Sequence, residues 1–134
     1  RRSLFTEGVL NTYFIDTIYA NKLKMEPTTQ GTHHLIMQIG DKSLDQLIAN
    51  ADKAIMVTDF KGGNCDSTTG NFSYGIEGFL IENGIISKPV SGMNITGNIL
   101  DVWQRVTALG NDYDPWETEI LPSIVFDEVS FGGI

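Results

Sequence analysis

The chain is poor in residues that form disulfide bonds or bind metals. Among its 134 residues it has one cysteine, Cys65, and two histidines, His33 and His34. A lone cysteine forms no disulfide within the chain and is typical of a reducing compartment, which predicts a cytoplasmic location. Adjacent side chains on an extended segment point to opposite faces, so the two histidines are badly placed to share an ion. We therefore expect no metal site in this chain and place both histidines in a surface loop.

Basic residues and long apolar runs are also scarce. Lys and Arg number 9 against 17 Asp and Glu, which gives a net charge of −8. Nucleic acids are bound mainly by Lys and Arg at the phosphates, so we expect no direct nucleic-acid partner. No apolar run approaches the ~20 residues that a membrane-spanning helix needs, so we expect no membrane association.

The length suits one domain with one hydrophobic core. The chain starts at Arg1-Arg2 without a methionine and enters structured sequence almost at once. We therefore expect residues 1–134 to be a single domain and a fragment of a longer chain. A sheet cut from a larger protein exposes apolar edges, so we also expect this fragment to associate in solution.

Hydrophobic periodicity and turn residues predict an α+β fold, a mostly antiparallel β-sheet with about three short helices. Asn83-Gly84 is the strongest hairpin signal, because both residues tolerate positive φ. Ser43 and Gln46 match a capping box. The predicted strands are residues 9–15, 35–39, 54–60, 72–81, 85–90 and 123–131. The first two predicted helices are residues 17–25, capped by Asp16 or Thr17, and residues 43–51.

A third helix is predicted from Asn98, a capping residue, to a stop at Gly110. Residues 54–60 are almost continuously apolar, which is typical of a strand covered on both faces. A turn is expected at 62–63, Pro89 places its strand at an edge or near its own end, and residues 127–128 indicate a bulge. The inward stripe of the third helix is predicted to be Ile99, Val102, Trp103 and Val106.

No catalytic signature stands out among the individual residues. Cys65 has no histidine near it in sequence to form a thiolate pair, so a turn cysteine is the better interpretation. The glycines at 62, 63 and 70 match no phosphate-binding pattern and are expected to serve bends of the backbone. Asp112 and Asp114 follow the third predicted helix and are expected to be solvated.

Four segments together resemble a known family. GVLNTYFIDTIYANKL (8–23), GGNCDSTTGNFSYGIEGFLIENG (62–84), KPVSGMNITGN (88–98) and ALGND (108–112) are similar, in this order, to the C-terminal region of the TldD/PmbA proteins. Arg1-Arg2 also resembles a stretch that precedes this region in the family. These proteins are known as modulators of DNA gyrase and as metallopeptidase subunits.

The resemblance implies a pair of related chains, TldD and TldE (also called PmbA), joined as a heterodimer around a peptide-binding cavity. The TldD type carries zinc, held by a H-E-x-x-x-H helix upstream and by a cysteine after the G-N-D segment. Here no cysteine follows Gly110-Asn111-Asp112. Without that thiolate a zinc site loses a ligand and its compensating charge. The chain thus resembles the PmbA/TldE type, with zinc implied in a TldD-type partner and no cofactor of its own.

The function implied is that of a non-catalytic subunit of a cytoplasmic zinc peptidase complex, which shapes the cavity for extended peptides and the partner interface. We expect rim or interface contacts at Asn64, Thr69, Asn71 and Asn111, although turn stabilisation explains each of them equally well. Two alternatives stay open. One is a non-enzymatic scaffold that modulates DNA gyrase or a toxin–antitoxin partner, and the other is a homodimeric zinc peptidase formed by the intact chain.

Overall fold

A computed structural model describes residues 2–32 and 34–133, which divide into two compact units at residue 35. The predicted α+β class is confirmed: three short helices accompany mainly antiparallel strands. His33 lies outside the described residues, and His34 is exposed. Each unit is described by itself below.

The first unit holds a small hairpin and one helix. Strands β1 (Phe5–Thr6) and β2 (Val9–Leu10) pair antiparallel, and helix α1 (Thr17–Leu23) follows. Asp16 caps α1 by accepting the Tyr19 N–H, as the sequence predicts, and Lys24 ends it in the left-handed region at φ 54°. The predicted strand 9–15 is wrong beyond residue 10. Ile15 is instead held by Thr28, whose Oγ1 accepts the Ile15 N–H and whose N–H donates to the Ile15 carbonyl.

The second unit is built around a four-stranded antiparallel sheet, and short strands flank it. The bounds are β3 (Leu35–Ile36), α2 (Leu44–Ala49), β4 (Lys53–Cys65), β5 (Asn71–Glu82), β6 (Ile85–Asn98), α3 (Ile99–Trp103), β7 (Val106–Leu109), β8 (Glu119–Ile120), β9 (Ile124–Phe126) and β10 (Ser130–Gly132). The sheet has the order β10-β6-β5-β4. Antiparallel strands β7 and β9 form a separate pair, and the unit begins within strand β3.

Two local predictions in this unit are confirmed. Ser43 and Gln46 form the capping box at the start of α2, whose Leu47 is buried. Asn83 and Gly84 turn the β5–β6 hairpin with φ values of 53° and 76°. Both turn residues therefore adopt the positive φ that this two-residue connection requires. Pro89 lies where β10 does not pair with β6, so it stands at an edge, as expected.

β4 and β6 are both longer than predicted, and both continue through glycines at which the prediction ended them or placed a turn. β4 runs on to Cys65, so the predicted turn at Gly62-Gly63 is wrong; Gly62 is instead the extra residue of a β-bulge. β6 likewise continues beyond residue 90 to Asn98. The strand predicted at 35–39 ends at Ile36. β4 is not covered on both faces within the chain, because its residues 58–65 are all exposed.

The third helix and the last strand depart most from prediction. α3 ends at Trp103, and Val106 lies in β7, where it pairs with Phe126 of β9. β-Branched Val106 and Thr107 favour a strand once a partner strand is present, and this outweighs the helical spacing. Residues 123–131 form two strands in different sheets, divided at Asp127-Glu128, where Glu128 has φ 53°. The predicted bulge is thus a break between strands.

Candidate functional site

Two of the four predicted rim residues meet at the turn between β4 and β5. Asp66 accepts the N–H groups of Thr68 and Thr69 through Oδ1, at 2.7 and 3.1 Å. These backbone donors, Thr69 first, hold the pKa of the Asp66 carboxyl below its usual range. Thr69 Oγ1 in turn accepts the Asn71 N–H at 3.3 Å. The turn is therefore closed by its own side chains.

Asn98 joins this turn to the next strand. Its Nδ2 donates to the Thr69 carbonyl at 2.8 Å and to Asn71 Oδ1 at 3.0 Å. Its Oδ1 accepts the Leu100 N–H and so caps α3. One amide thereby sets the positions of Thr69, Asn71 and the helix start. Sequence reasoning identified the cap and missed the bridge, because the pairing of Asn71 with Asn98 is a property of the β5–β6 register.

Asn64 and Cys65 lie on the β4 side of the same turn. They pair with Ser73 and Phe72 of β5, and both are exposed. Cys65 is a free thiol. It is the last residue of strand β4, so the prediction of a turn cysteine is wrong. Its Sγ lies 4.0 Å from the Asp66 carbonyl oxygen. With no described histidine or lysine bonded to it, the thiol lacks the positive neighbour that would activate it.

The fourth predicted residue, Asn111, belongs to a different structure, the loop after β7. Its N–H donates to the Lys42 carbonyl at 2.9 Å and its Nδ2 to the Asp41 carbonyl at 3.4 Å. Asp112 is not merely solvated, as predicted: Oδ1 accepts the Ser123 N–H at 3.1 Å and Oδ2 bonds the Ser123 hydroxyl at 2.6 Å. This loop is tied to the start of β9 by a charge-assisted contact.

An open groove of about 350 Å³ is lined in part by Asp41 and Lys42, the two residues whose carbonyls Asn111 bonds. Residues 38–42 form one wall and β7 forms the other. The Gly40 N–H bonds the Gly110 carbonyl at 2.8 Å, and a side chain at Gly40 would collide with the Leu109 carbonyl. Glycine is therefore required for the close approach of the two segments at the end of the groove.

In the part of the chain that the structure describes, no set of side-chain donors fits a metal ion. Among residues 2–32 and 34–133 no three His, Cys, Asp or Glu side chains cluster. The carboxylates of Asp66 and Asp112 accept hydrogen bonds from backbone N–H groups, and that of Asp112 also bonds the Ser123 hydroxyl. No helix within the described ranges combines the length and apolar character needed to cross a bilayer.

Comparison with known proteins covers nearly the whole chain. A family described as the PmbA/TldA metallopeptidase C-terminal domain matches residues 1–133. The metalloprotease PmbA homolog of Buchnera aphidicola (subsp. Acyrthosiphon pisum) is 30% identical over 94% of this chain and 29% of its own length. The metalloprotease TldD homolog of Haemophilus influenzae is 31% identical, over 81% of this chain and 25% of its own.

The fold also matches a solved structure. A modulator of DNA gyrase from Bacteroides thetaiotaomicron is 54% identical, with a TM-score of 0.95, over 99% of this chain and 30% of that one. The chain thus spans under a third of the length of each of these proteins. Its match to the PmbA relative is more complete than its match to the TldD relative, at nearly equal identity.

Proposed function

We propose, on the premise that the chain belongs to the PmbA/TldA metallopeptidase C-terminal domain family, that it forms the C-terminal part of a PmbA/TldE-type subunit. In this proposal the subunit is non-catalytic and supports a TldD-type partner in a heterodimeric, cytoplasmic peptidase complex. The partner holds a zinc ion, which supplies the charge that activates water for peptide hydrolysis. This chain contributes the peptide cavity and the interface.

The proposal rests on the hydrogen bonds of the Asp112 carboxylate. The resemblance implies that in the metal-binding type of this family the segment after G-N-D provides a ligand. Here both carboxylate oxygens of Asp112 are engaged by Ser123, and the chain has no cysteine after Asp112. Asp112 of the G-N-D segment thus ties the loop to the start of β9, and the segment after it provides no thiolate.

The groove beside Asn111 supports the second half of the proposal, the peptide cavity. β7 pairs with β9 on one side, and all four of its residues line the groove. An extended peptide can bind such a strand through main-chain hydrogen bonds, which tolerates varied side chains. Thr107 lies in the groove wall, and Asn111 bonds the carbonyls of Asp41 and Lys42, which line the groove. The substrates we propose are therefore extended peptides rather than nucleic acids, which the net charge of −8 disfavours.

The test combines metal analysis with peptide hydrolysis. The intact protein is purified alone and with a TldD-type partner, and both zinc content and cleavage of an unfolded peptide are measured. We expect zinc and cleavage only in the mixture. Stoichiometric zinc and cleavage by the protein alone would overturn the proposal in favour of a homodimeric zinc peptidase.

Asn111→Ala and Thr107→Ala in the complex test the groove. We expect a rise in KM of several-fold with an unchanged zinc content, since in this proposal these residues contact peptide and not metal. Thr29→Ala, a matched change in the other unit, should leave KM unchanged. Equal kinetics for all three variants would remove the groove from the proposal and leave the subunit role standing.

A second candidate function rests on the 54% identical modulator of DNA gyrase. In that case the protein is a binding partner of gyrase or of a toxin–antitoxin protein, without hydrolysis. Direct binding of gyrase by the intact protein, with no peptide cleavage in the presence of a TldD-type chain, would favour this candidate over the peptidase subunit.

A further inference from the structure

Helix α2 (Leu44–Ala49) stands between the groove and the turn from β5 to β6. Residues 38–42, one wall of the groove, lead through Ser43 into the helix, and residues 50–52 lead out of it to β4. The helix has only 6 residues, and isolated helices shorter than about 12–15 residues are marginal in water. The position of α2 therefore depends on the contacts that hold its two ends.

The turn from β5 to β6 holds the C-terminal end of α2. The Gly84 N–H donates to the Ala51 carbonyl at 2.8 Å. The Asn83 N–H donates to the Asp52 carbonyl at 2.7 Å. A Cβ on Gly84 would stand 2.7 Å from the Ala49 carbonyl oxygen. The turn therefore lies against the end of the helix at a distance that only glycine permits.

These hydrogen bonds are not needed to close the hairpin. The β5–β6 ladder ends at the pair of Glu82 and Ile85, so the N–H groups of the two turn residues lie outside it. A turn that only reversed the chain would leave both groups to water, which satisfies exposed backbone donors. Here both are donated to the segment that follows α2. The turn therefore does more than connect two strands.

The loop after β7 holds the other end of α2. The Asn111 N–H donates to the Lys42 carbonyl at 2.9 Å, just before the helix begins. Leu47 of α2 is buried, and its Cδ1 lies 3.4 Å from where a Cβ on Gly110 would stand. The Gly110 carbonyl also accepts the Gly40 N–H at 2.8 Å. One loop therefore contacts both the helix and the groove wall that precedes it.

The two walls of the groove differ in their support. β7 pairs with β9 from Val106 to Leu109. Residues 38–42 lie between β3 and α2, and the Gly40 and Asn111 N–H groups join them to the loop after β7. Of the two walls, this is the one that continues into α2, so its position follows that of the helix.

We infer that α2 positions the groove, and that Asn83 and Gly84 act on the groove from the far end of this helix. Neither residue lines the groove, so both are positioning residues. Loosening the turn releases the end of α2, and residues 38–42 then move relative to β7. The inference rests on the proposed function in taking this groove as the place where peptide binds.

Amide hydrogen exchange in the intact protein tests the inference without a substrate. Gly84→Ala forces the turn away from Ala49, so exchange at the Gly40 and Asn111 amides should rise several-fold. Gly92→Ala is the matched control, because it adds the same methyl group to β6 at a similar positive φ, with nothing within 4 Å. It should leave both amides unchanged. Equal exchange at these amides in the two variants would overturn the inference.

The opposite end of the hairpin separates positioning from a general loss of stability. There the Ile99 N–H donates to the Gly70 carbonyl at 2.8 Å. Exchange at Ile99 should stay unchanged in Gly84→Ala under native conditions, because the substituted turn lies at the other end of both strands. A rise at Ile99 equal to that at Gly40 would indicate global unfolding and would also rule the inference out.

Leu47→Val is a second, milder variant, which leaves the turn intact and covers the case in which Gly84→Ala does not fold. The shorter side chain withdraws from Gly110, so exchange at the Gly40 and Asn111 amides should again rise. Leu47→Met keeps the side-chain volume and should restore slow exchange. Unchanged exchange in Leu47→Val would contradict a positioning role of α2.

Peptidase kinetics separate this inference from the proposed function. In the complex with a TldD-type partner, Gly84→Ala should raise KM for an extended peptide several-fold and leave kcat unchanged. Gly92→Ala should change neither constant. Faster exchange at Gly40 and Asn111 with an unchanged KM would support positioning by α2 and remove the groove from the proposed function. A raised KM without faster exchange would overturn the inference and leave the proposed function standing.

Discussion

The two ends of β5 are closed in different ways. At one end Asn83 and Gly84 make the turn to β6 by their own conformation, with φ values of 53° and 76°. At the other end the turn from β4 is held partly by Asp66 within it and partly by Asn98, which lies 27 residues beyond Asn71. The conformation of the first turn is set by its own two residues, and their N–H groups then donate to the carbonyls of Asp52 and Ala51. The second, which carries two predicted rim residues, needs the sheet to be formed before it is complete.

The largest effect should come from the local turn. Gly84→Ala puts a side chain at φ 76° and within 2.7 Å of the Ala49 carbonyl, so we expect a loss of about 2–4 kcal/mol in unfolding free energy. Gly92→Ala is the control, since Gly92 has φ 70° with nothing within 4 Å. It should cost only about 1 kcal/mol by denaturant unfolding. Equal losses would mean that the contact with Ala49 is unimportant.

A smaller effect is expected from the bridge at the other end. Asn98→Asp keeps an oxygen that caps α3 but turns the donor facing Thr69 and Asn71 into an acceptor. We expect it to destabilise the protein by about 1–2 kcal/mol. The loss comes from the bridge, because the oxygen that caps α3 is kept. Amide exchange should rise at Thr69 and Asn71 more than at Leu100. A change confined to the helix amides would show that the bridge contributes nothing.

The smallest effect concerns pH. Because backbone donors lower the pKa of Asp66 in the folded state, its contribution is complete above the usual carboxyl pKa of about 4 and is lost as pH falls through the folded value. The amides of Thr68 and Thr69 should therefore become less protected from exchange in acid. Asp66→Asn, which keeps an acceptor and does not titrate, should show no such pH dependence at these amides. Loss of protection in that variant too would assign the change to another group.

Sequence reasoning succeeded where short-range geometry decides. The caps at Asp16, Ser43 and Asn98 each satisfy backbone donors within three residues, and all three were predicted. It failed at Val106, which has helical spacing yet pairs with Phe126. It also failed at Gly62-Gly63, where glycines typical of a turn form a bulge inside a long strand.

The sequence indicates only in part which of the predicted rim residues lie together. Thr69 and Asn71 are close in the chain, and the structure brings them together. Asn111 instead bonds residues 41 and 42, some seventy positions earlier in the chain. That contact depends on a parallel approach of two distant segments, which no local pattern signals.

The amino-acid sequence alone determined the family, the α+β class, the helix caps and the β5–β6 hairpin, because each follows from residues close together in the chain. Tertiary structure alone decided which strands extend, where the last strand divides, and that Asn98 and Asp112 serve as ties between segments. Those outcomes depend on hydrogen bonds between residues far apart in sequence, and such bonds form only when strand register is set by the fold as a whole.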